Sequence, residues 1–266
     1  MDQSKKIRNF HNEVKFRILT KYVDKSESIR SLLDIGTGRG GDIHKWYKLK
    51  IQYVTAIDIN KKYINEAIKR YNSTNYLKLT NYRFYYTTEE KMFKLYLNSI
   101  NHKIKHDIIT CMFALHYFCK NMKTLESILL QVSESLPNNG YFVCVSPLGE
   151  RIMEILRGEM IYKTNTLMVE RCFDELKKIG DKVKFMMSGT LYFGEKIISE
   201  EYLIFEETLR NVGEKFNLKL IEYSSFKNEY SNINGLSDES KEVSFLNGVI
   251  VFQKMDANPE LLHKDE

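Results

Sequence analysis

The chain has 266 residues, of which 43% are hydrophobic and 28% are charged, and its formal net charge is +5. This length suits one large α/β domain with its own core, and the 3 prolines and 13 glycines argue against long disordered linkers. The mild positive charge permits a nucleic-acid partner but excludes a histone-like polycation.

Targeting and metal-binding signals are absent from the sequence. It contains no secretory signal and no apolar run of membrane-spanning length, so we expect no membrane partner. The four cysteines show no CxxC spacing, which indicates free thiols in a reducing compartment. Cys111, His116 and Cys119 do not have the spacing of a zinc site, and we predict no metal.

The first half of the chain alternates helices and strands. Ile7, Phe10, Val14 and Ile18 recur at helical spacing and predict a helix over 5–19 whose opposite face is basic. The further predicted helices are 42–50, 61–71 and 123–136. The predicted strands are 31–35, 53–58, 82–86, 107–112 and 141–146. This alternation predicts a mostly parallel sheet covered on both faces, with a ligand crevice at the carboxyl ends of the strands.

The second half gives weaker signals, and the region 155–200 shows no clear pattern. In chain order we predict a strand or hairpin arm over 184–193, a helix over 200–216, a strand over 218–223, a polar loop over 228–242 and a strand over 249–252. Residues 256–266 are predicted to be a frayed tail. We therefore expect a single domain over residues 1–255.

A glycine-rich loop follows the first predicted strand. Residues 36–41 read G-T-G-R-G-G and satisfy G-x-G-x-x-G between a strand and a helix. Glycines in such a loop let the backbone approach a ligand closely. Two ligand classes use it: dinucleotides, whose pyrophosphate lies at the helix N-terminus, and S-adenosylmethionine, whose methionine end carries an ammonium and a carboxylate.

Three aspartates around this loop favour S-adenosylmethionine. Asp34 directly precedes the glycines, where a carboxylate would repel a pyrophosphate but attract an ammonium. Asp42 adds a second negative group, and Asp58 ends the next strand, where an acid suits ribose hydroxyls. A helix cap or turn role is the alternative for each, above all for Asp42. A nicotinamide dehydrogenase would need a further acid/base set, which the sequence does not show.

Four motifs resemble those of mRNA cap guanine-N7 methyltransferases. Residues 33–42 (L-D-I-G-T-G-R-G-G-D) are similar to the L-D-L-G-C-G-K-G-G-D motif of that family, in which the double glycine and aspartate are more specific than the general methyltransferase loop. Residues 112–117 (M-F-A-L-H-Y) resemble Q-F-x-x-H-Y, and residues 8–15 (R-N-F-H-N-E-V-K) resemble R-x-x-N-N-x-x-K. Residues 201–203 (E-Y-L) resemble the V-P-E-[FY]-L-V segment, so the similarity covers nearly the whole chain.

The resemblance implies a fold, a reaction and partners. The fold would be the Rossmann-like class I S-adenosylmethionine-dependent methyltransferase fold, a mostly parallel seven-stranded sheet with helices on both faces. The reaction would convert GpppN-RNA and S-adenosylmethionine to the N7-methylated cap and S-adenosylhomocysteine, without a catalytic base. Capped RNA would be the substrate, and guanylyltransferase or triphosphatase domains or a stimulatory subunit would be further partners. The Lys-, Ile-, Asn- and Tyr-rich composition resembles that of proteins from large cytoplasmic DNA viruses. This resemblance implies that the protein is located in the cytoplasm, in a viral factory or in a virion.

The same resemblance assigns residues to the cofactor. They are Lys15, Asp34, Gly36, Gly38, Asp42, Asp58, Thr88, Glu89, Met112 and Phe113. Lys15 would contact the methionine carboxylate, Asp58 the ribose, and Thr88 with Glu89 the adenine. Two of these positions depart from the family pattern, because Met112 replaces a glutamine and Glu89 an aspartate.

A second set is implied for the RNA cap. It comprises His11, Asn12, Arg39, His116, Tyr117, Pro147, Glu201 and Asn247. His116, Tyr117 and Glu201 would bind the guanine, and Arg39 would contact the triphosphate. His11 stands where the family has asparagine, and Asn247 where we expect a tyrosine.

Other interpretations fit the residues taken alone. His116 and Tyr117 also fit the packed end of a strand, and Glu201 also fits a first-turn helix acid. The basic N-terminal face also fits a solvated helix surface. Two rival functions remain: a small-molecule methyltransferase, which would lack the basic helix and the histidine–glutamate pair, and a cap- or RNA-binding module without turnover.

Overall fold

The computed structural model describes residues 3–25, 31–73, 80–87, 105–187, 198–230 and 235–256. The helices of this part are α1 (Gln3–Asp24), α2 (Ile43–Lys48), α3 (Lys61–Asn72), α4 (Leu115–Phe118), α5 (Met122–Ser135), α6 (Gly149–Leu156), α7 (Glu206–Glu214), α8 (Phe226–Glu229) and α9 (Asp238–Phe245). The strands are β1 (Ser31–Ile35), β2 (Tyr53–Asp58), β3 (Asn81–Tyr86), β4 (Ile108–Met112), β5 (Tyr141–Pro147), β6 (Ile161–Lys163), β7 (Leu167–Arg171), β8 (Lys182–Met187), β9 (Ser199–Tyr202), β10 (Leu218–Ser225) and β11 (Asn247–Lys254). No helix among these residues is long and apolar enough to cross a membrane.

Seven strands form one sheet in the order β10-β11-β5-β4-β1-β2-β3. The pairs from β3 to β5 are parallel, whereas β11 runs antiparallel to both β5 and β10. The chain turns to opposite sides of β1, with β2 on one side and β4 on the other. This reversal opens a crevice at the carboxyl end of β1, where α/β sheets bind their ligands.

The sheet is buried on both faces because alternate residues of its strands point to opposite sides. One face packs against α5 and α7, and its core includes Leu33, Cys111, Leu129, Phe142 and Val212. The other face packs against α1 and α2, and its core includes Phe10, Val14, Leu32, Trp46 and Val54. The predicted mostly parallel sheet with helices on both sides is confirmed.

A second sheet of four antiparallel strands has the order β6-β7-β8-β9 and occupies the region without a clear sequence pattern. Its inner residues, among them Val169, Val183 and Phe185, pack against α6 and against Leu203 and Phe205. Residue 201 lies on β9, in register with Val183. The second sheet therefore carries one of the predicted cap-binding positions.

Two predicted elements of the second half are wrong. The helix predicted over 200–216 begins only at Glu206, because Ser199–Tyr202 pairs with β8 as a strand. The polar loop predicted over 228–242 contains the end of α8 and the first residues of α9, two helices that are capped by the hydroxyls of Ser225 and Ser237, and its residues 231–234 lie outside the described part of the chain. Residues 188–193 of the predicted hairpin arm and 257–266 of the predicted tail lie outside the described part of the chain.

Candidate functional site

The first two glycines of the loop after β1 differ in the space around them. Gly36 and Gly38 have φ angles of 73° and 55°, which favour glycine. A Cβ atom on Gly36 would lie 2.6 Å from the Cβ atom of Ala114, whereas one on Gly38 would meet no atom within 4 Å. The backbone at Gly38 therefore borders open space at the edge of the sheet where a ligand is expected.

This contrast predicts different outcomes for two alanine substitutions. Gly36→Ala should lower the free energy of unfolding by clearly more than the roughly 1–2 kcal/mol that the left-handed conformation costs a non-glycine residue, because the new methyl group also collides with Ala114. Gly38→Ala should lose about the conformational cost alone. Urea denaturation of both variants measures the difference, and equal losses would contradict the packing assigned to Gly36.

Asp34 lies at the carboxyl end of β1 and is 2% exposed. One of its oxygens accepts a hydrogen bond of 2.6 Å from the Thr110 hydroxyl. Burial, with repulsion from Asp42, raises the pKa of Asp34 to about 7, although Thr110 and Lys15 favour the ionised form. A carboxylate in this position is stabilised by a cationic ligand, which fits the predicted contact with an ammonium group.

Asp58 connects the loop to the end of β2. Its two carboxylate oxygens accept hydrogen bonds from the backbone N–H groups of Gly38 (2.7 Å) and Asn60 (2.8 Å). The side chain of Asn60 in turn caps α3 by accepting bonds from Lys62 and Tyr63. Asp58 thus holds the glycine loop, and its contact with a ribose stays a prediction.

Asp42 contacts the ammonium groups of two lysines, and the sequence did not predict these contacts. Its carboxylate lies 2.8 Å from the Lys15 ammonium and also binds the Lys45 ammonium. Burial alone would raise the pKa of Asp42, but the two lysines outweigh it and hold that pKa well below its usual range. The side chain makes no helix-cap bond. The charge of Asp42 is therefore compensated by two lysines of the protein. These contacts do not support a direct bond from Asp42 to a ligand ammonium, which stays a prediction.

Asn12 and Lys45 join α1 to this group. The Lys45 side chain is 2% exposed, and its ammonium donates a hydrogen bond of 2.8 Å to Asn12 Oδ1. The basic N-terminal helix thus contacts Asp42 and Lys45 through Lys15 and Asn12. The Asn12 side chain that was predicted to bind the cap makes a hydrogen bond inside the protein.

Phe113 and His11 lie together at the end of β4, next to Met112. Phe113 has a φ angle of 60°, a strained conformation for a bulky residue, and its N–H donates to the Val145 carbonyl. The His11 ring stacks on Phe113 with centroids 5.5 Å apart, and its Nε2 lies 3.1 Å from the Ser244 hydroxyl. Burial, with a contribution from Lys15, lowers the pKa of His11 to about 3. A neutral aromatic pair therefore borders the site.

His116 on α4 and Glu201 on β9 come together from distant parts of the chain. His116 is 3% exposed, and its Nδ1 lies 3.1 Å from the Ser146 hydroxyl. Its Nε2 is buried without a hydrogen-bond partner among the described residues and lies 3.9 Å from Glu201 Oε2. Burial lowers the pKa of His116, and Glu201 partly opposes this shift. The pair consists of a neutral imidazole facing a carboxylate.

Tyr117 lies beside this pair with 54% of its surface exposed. Partial burial raises the pKa of Tyr117, and the nearby charges of Glu201 and Asp58 add to the shift. Because Asp58 lies at the end of β2 and Glu201 on the second sheet, Tyr117 lies between residues predicted to bind the cofactor and residues predicted to bind the cap.

The remaining predicted residues differ in their placement. Pro147 and Asn247 are register partners at the carboxyl end of β5, but the Asn247 amide donates to the carbonyls at the end of α9. Arg39 is exposed, with its guanidinium 3.4 Å from Glu66 and 4.9 Å from the centre of the Tyr63 ring. Thr88 and Glu89 lie outside the described residues.

Three residues of the site were not predicted from the sequence. Thr110 and Ser146 are polar positions within strands whose other residues are almost all apolar, and this contrast could have identified them. Lys45 follows Asp42 at the spacing that places two side chains on one helix face. No group of three or more potential metal ligands occurs within the described segments of the chain.

Comparison with known proteins decides the family. The sequence profile of the mRNA (guanine-N(7))-methyltransferase domain matches residues 2–252. This chain belongs to the mRNA (guanine-N(7))-methyltransferase domain family. The predicted family is therefore confirmed.

Curated relatives of this methyltransferase domain are longer proteins. An mRNA cap guanine-N(7) methyltransferase of Drosophila melanogaster is 23% identical over 84% of this chain and 55% of its own length. A probable mRNA-capping enzyme of Acanthamoeba polyphaga mimivirus is 28% identical over 85% of this chain and 22% of its own length. The chain spans about half the length, or less, of these relatives.

Solved structures share the fold of the methyltransferase domain. An S-adenosylmethionine-dependent methyltransferase from Clostridium acetobutylicum aligns over 95% of this chain and 92% of its own with a TM-score of 0.58 and 17% identity. The CcbJ methyltransferase from Streptomyces caelestis aligns over 92% of this chain and 95% of its own with a TM-score of 0.60 and 13% identity. The predicted Rossmann-like methyltransferase fold is confirmed.

Proposed function

We propose that this chain transfers the methyl group of S-adenosylmethionine to N7 of the guanine in an RNA cap. The observation that carries the proposal is the buried Nε2 of His116, which has no hydrogen-bond partner among the described residues and faces Glu201. Burying a polar atom without a hydrogen-bond partner costs free energy, so a ligand that accepts a hydrogen bond from Nε2 is favoured. The imidazole donor and the Glu201 carboxylate together suit a ligand edge that carries an acceptor beside donors. Guanine offers the O6 acceptor beside the N1 and N2 donors.

The charges at the end of β1 fit S-adenosylmethionine. The buried carboxylate of Asp34 suits its ammonium, and the ammonium of Lys15 suits its carboxylate. The open position at Gly38 leaves backbone free to approach the ligand, and Asp58 lies beside it for the ribose. When bound, S-adenosylmethionine supplies a methyl group on a positively charged sulfur. A dinucleotide is disfavoured, because Asp34 would repel its pyrophosphate.

Methylation at guanine N7 requires positioning rather than proton transfer. N7 carries a lone pair and no proton, so no general base is needed, and orientation of the reactants alone can contribute roughly 7–11 kcal/mol. His116 is kept neutral by burial, which suits a donor to O6 through Nε2 while Nδ1 contacts Ser146. Glu201 would hold the N1 and N2 donors, and its attraction would grow as the purine becomes cationic.

The proposal includes contacts with the RNA beyond the cap and with other proteins or domains of a capping assembly. Lys5 and Arg8 are exposed on α1 and support an electrostatic contact with RNA phosphates. The name of the mimivirus relative supports a larger capping assembly, in which guanylyltransferase or triphosphatase domains or a stimulatory subunit would act with this domain. We place the activity in the cytoplasm, with a viral factory or a virion as further locations.

Labelled methyl transfer to GpppG-RNA tests the proposal, with m7GpppG-RNA as the control substrate. We expect label on the unmethylated cap and none on the control, because N7 of the control is already occupied. Binding of S-adenosylhomocysteine, measured by calorimetry on the same sample, shows that the cofactor site is intact. An intact site without label on GpppG-RNA would refute the proposal, and equal label on both RNAs would indicate methylation of a ribose or an internal base.

A further inference from the structure

A buried group of charges lies beneath the predicted position of the cofactor's methionine end. The Asp42 carboxylate contacts two ammonium groups, that of Lys15 from α1 and that of Lys45 from α2. Lys15 lies 2.8 Å from one Asp42 oxygen and 3.0 Å from the other. The side chains of Lys15 and Asp42 are only 12% and 13% exposed, so solvent screens these charges weakly.

Lys45 is the most deeply buried member of this group. Its side chain is 2% exposed, and its ammonium contacts both Asp42 and Asn12 Oδ1. Burial lowers the pKa of Lys45, an effect that Asp42 opposes. Burying an ammonium is costly unless partners compensate it, so its presence requires an explanation beyond packing.

The net charge of Lys15, Asp42 and Lys45 together explains the presence of the buried Lys45 ammonium. Lys15 and Asp42 alone would form a neutral pair, and Lys15 would have little attraction left for a second carboxylate. With Lys45 added, two ammonium groups share one carboxylate, and the group carries one net positive charge beside the buried Asp34. One positive and one negative centre side by side are complementary to a zwitterionic amino-acid group.

We propose that Lys45 is a positioning residue: by competing for Asp42, it frees the ammonium of Lys15 to bind the carboxylate at the methionine end of the cofactor. The inference rests on the proposed cofactor site, but not on the identity of the methyl acceptor. It assigns to Lys45 an effect on ligand binding that is transmitted entirely through Asp42 and Lys15.

Two ligands separate this role from a structural one. S-adenosylhomocysteine carries the amino-acid group, whereas 5′-methylthioadenosine has the same adenosine and sulfur without it. In Lys45→Met the apolar side chain has a similar length, and the remaining pair is neutral. We expect calorimetry to show roughly tenfold weaker binding of S-adenosylhomocysteine, about 1.4 kcal/mol, and unchanged binding of 5′-methylthioadenosine.

A charge-restoring variant makes the test sharper. In Lys45→Met/Asp42→Asn, the group again carries one net positive charge, so most of the lost affinity for S-adenosylhomocysteine should return. Asn12→Asp, which adds a negative charge beside an intact Lys45, should weaken binding like Lys45→Met and covers the case in which Lys45→Met does not fold. Equal losses for both ligands, or a double variant weaker than the single one, would overturn the proposal. Neither measurement uses RNA, so failure of the cap assay leaves this test unaffected.

Discussion

Asp34→Asn should raise the melting temperature of the cofactor-free protein at pH 8 and at the same time weaken its binding of S-adenosylhomocysteine at least tenfold. At pH 8 the wild-type carboxyl, whose pKa is about 7, is buried in its ionised form with one hydrogen bond from Thr110. Asparagine keeps an oxygen for Thr110 but removes the buried charge, so the folded protein is stabilised. The same change removes the carboxylate that we propose binds the ammonium of the ligand.

The stability difference between the two proteins should depend on pH in one direction. Because folding raises the pKa of Asp34 from its ordinary value near 4 to about 7, ionised Asp34 destabilises the folded protein fully above pH 7 and not at all below about pH 4. The melting-temperature advantage of Asp34→Asn should therefore shrink as the pH falls from 8 to 4. An advantage that is constant over this range would show that the ionisation of Asp34 is not its cause.

The first half of the fold could be predicted because local pattern and tertiary structure agree there. The strands β1, β2, β4 and β5 are short and largely buried apolar segments, and Asn60 and Asn121 cap helices that follow β2 and β4. The crevice at the end of β1 follows from this alternation alone. Asp34 and Asp58 could be placed at it because each lies at the carboxyl end of a strand.

The second sheet could not be predicted for a physical reason. β6 has three residues and β9 has four, and both are edge strands with exposed or partly exposed side chains, so no strong alternation of apolar residues marks them. Ser199 followed by two glutamates imitates the start of a helix, but pairing with β8 determines the structure. The prediction of a helix at Glu201 failed because long-range pairing outweighs local preference.

The contacts between the charged residues of the site could not be predicted from the sequence either. The sequence identified Asp42 as a negative group near the cofactor, but it could not show that two lysines neutralise it. Lys15 comes from another helix, and its contact with Asp42 depends on how α1 packs across the sheet. The approach of His116 to Glu201 likewise requires both sheets to be in place.

Glu201→Gln should lower turnover on GpppG-RNA by about 100-fold, comparable to the loss of one preorganised group that stabilises a transition state. Glutamine has nearly the same shape and can keep the contact with the Ser199 hydroxyl, but it carries no charge to favour a guanine that becomes cationic. Its amide also adds donors where the guanine edge presents donors. The effect should fall mainly on kcat, because the charge develops during the reaction.

The neighbouring acid supplies the control for this substitution. Glu200 lies on the same strand and pairs with Lys182 on the surface of the second sheet, with its side chain 53% exposed. Glu200→Gln makes the same chemical change one residue away and should leave turnover near that of the wild type. Both variants should bind S-adenosylhomocysteine with wild-type affinity, because Glu201 faces His116 rather than the glycine loop. A loss of cofactor binding in Glu201→Gln, or similar turnover in the two variants, would show that Glu201 does not act on the guanine.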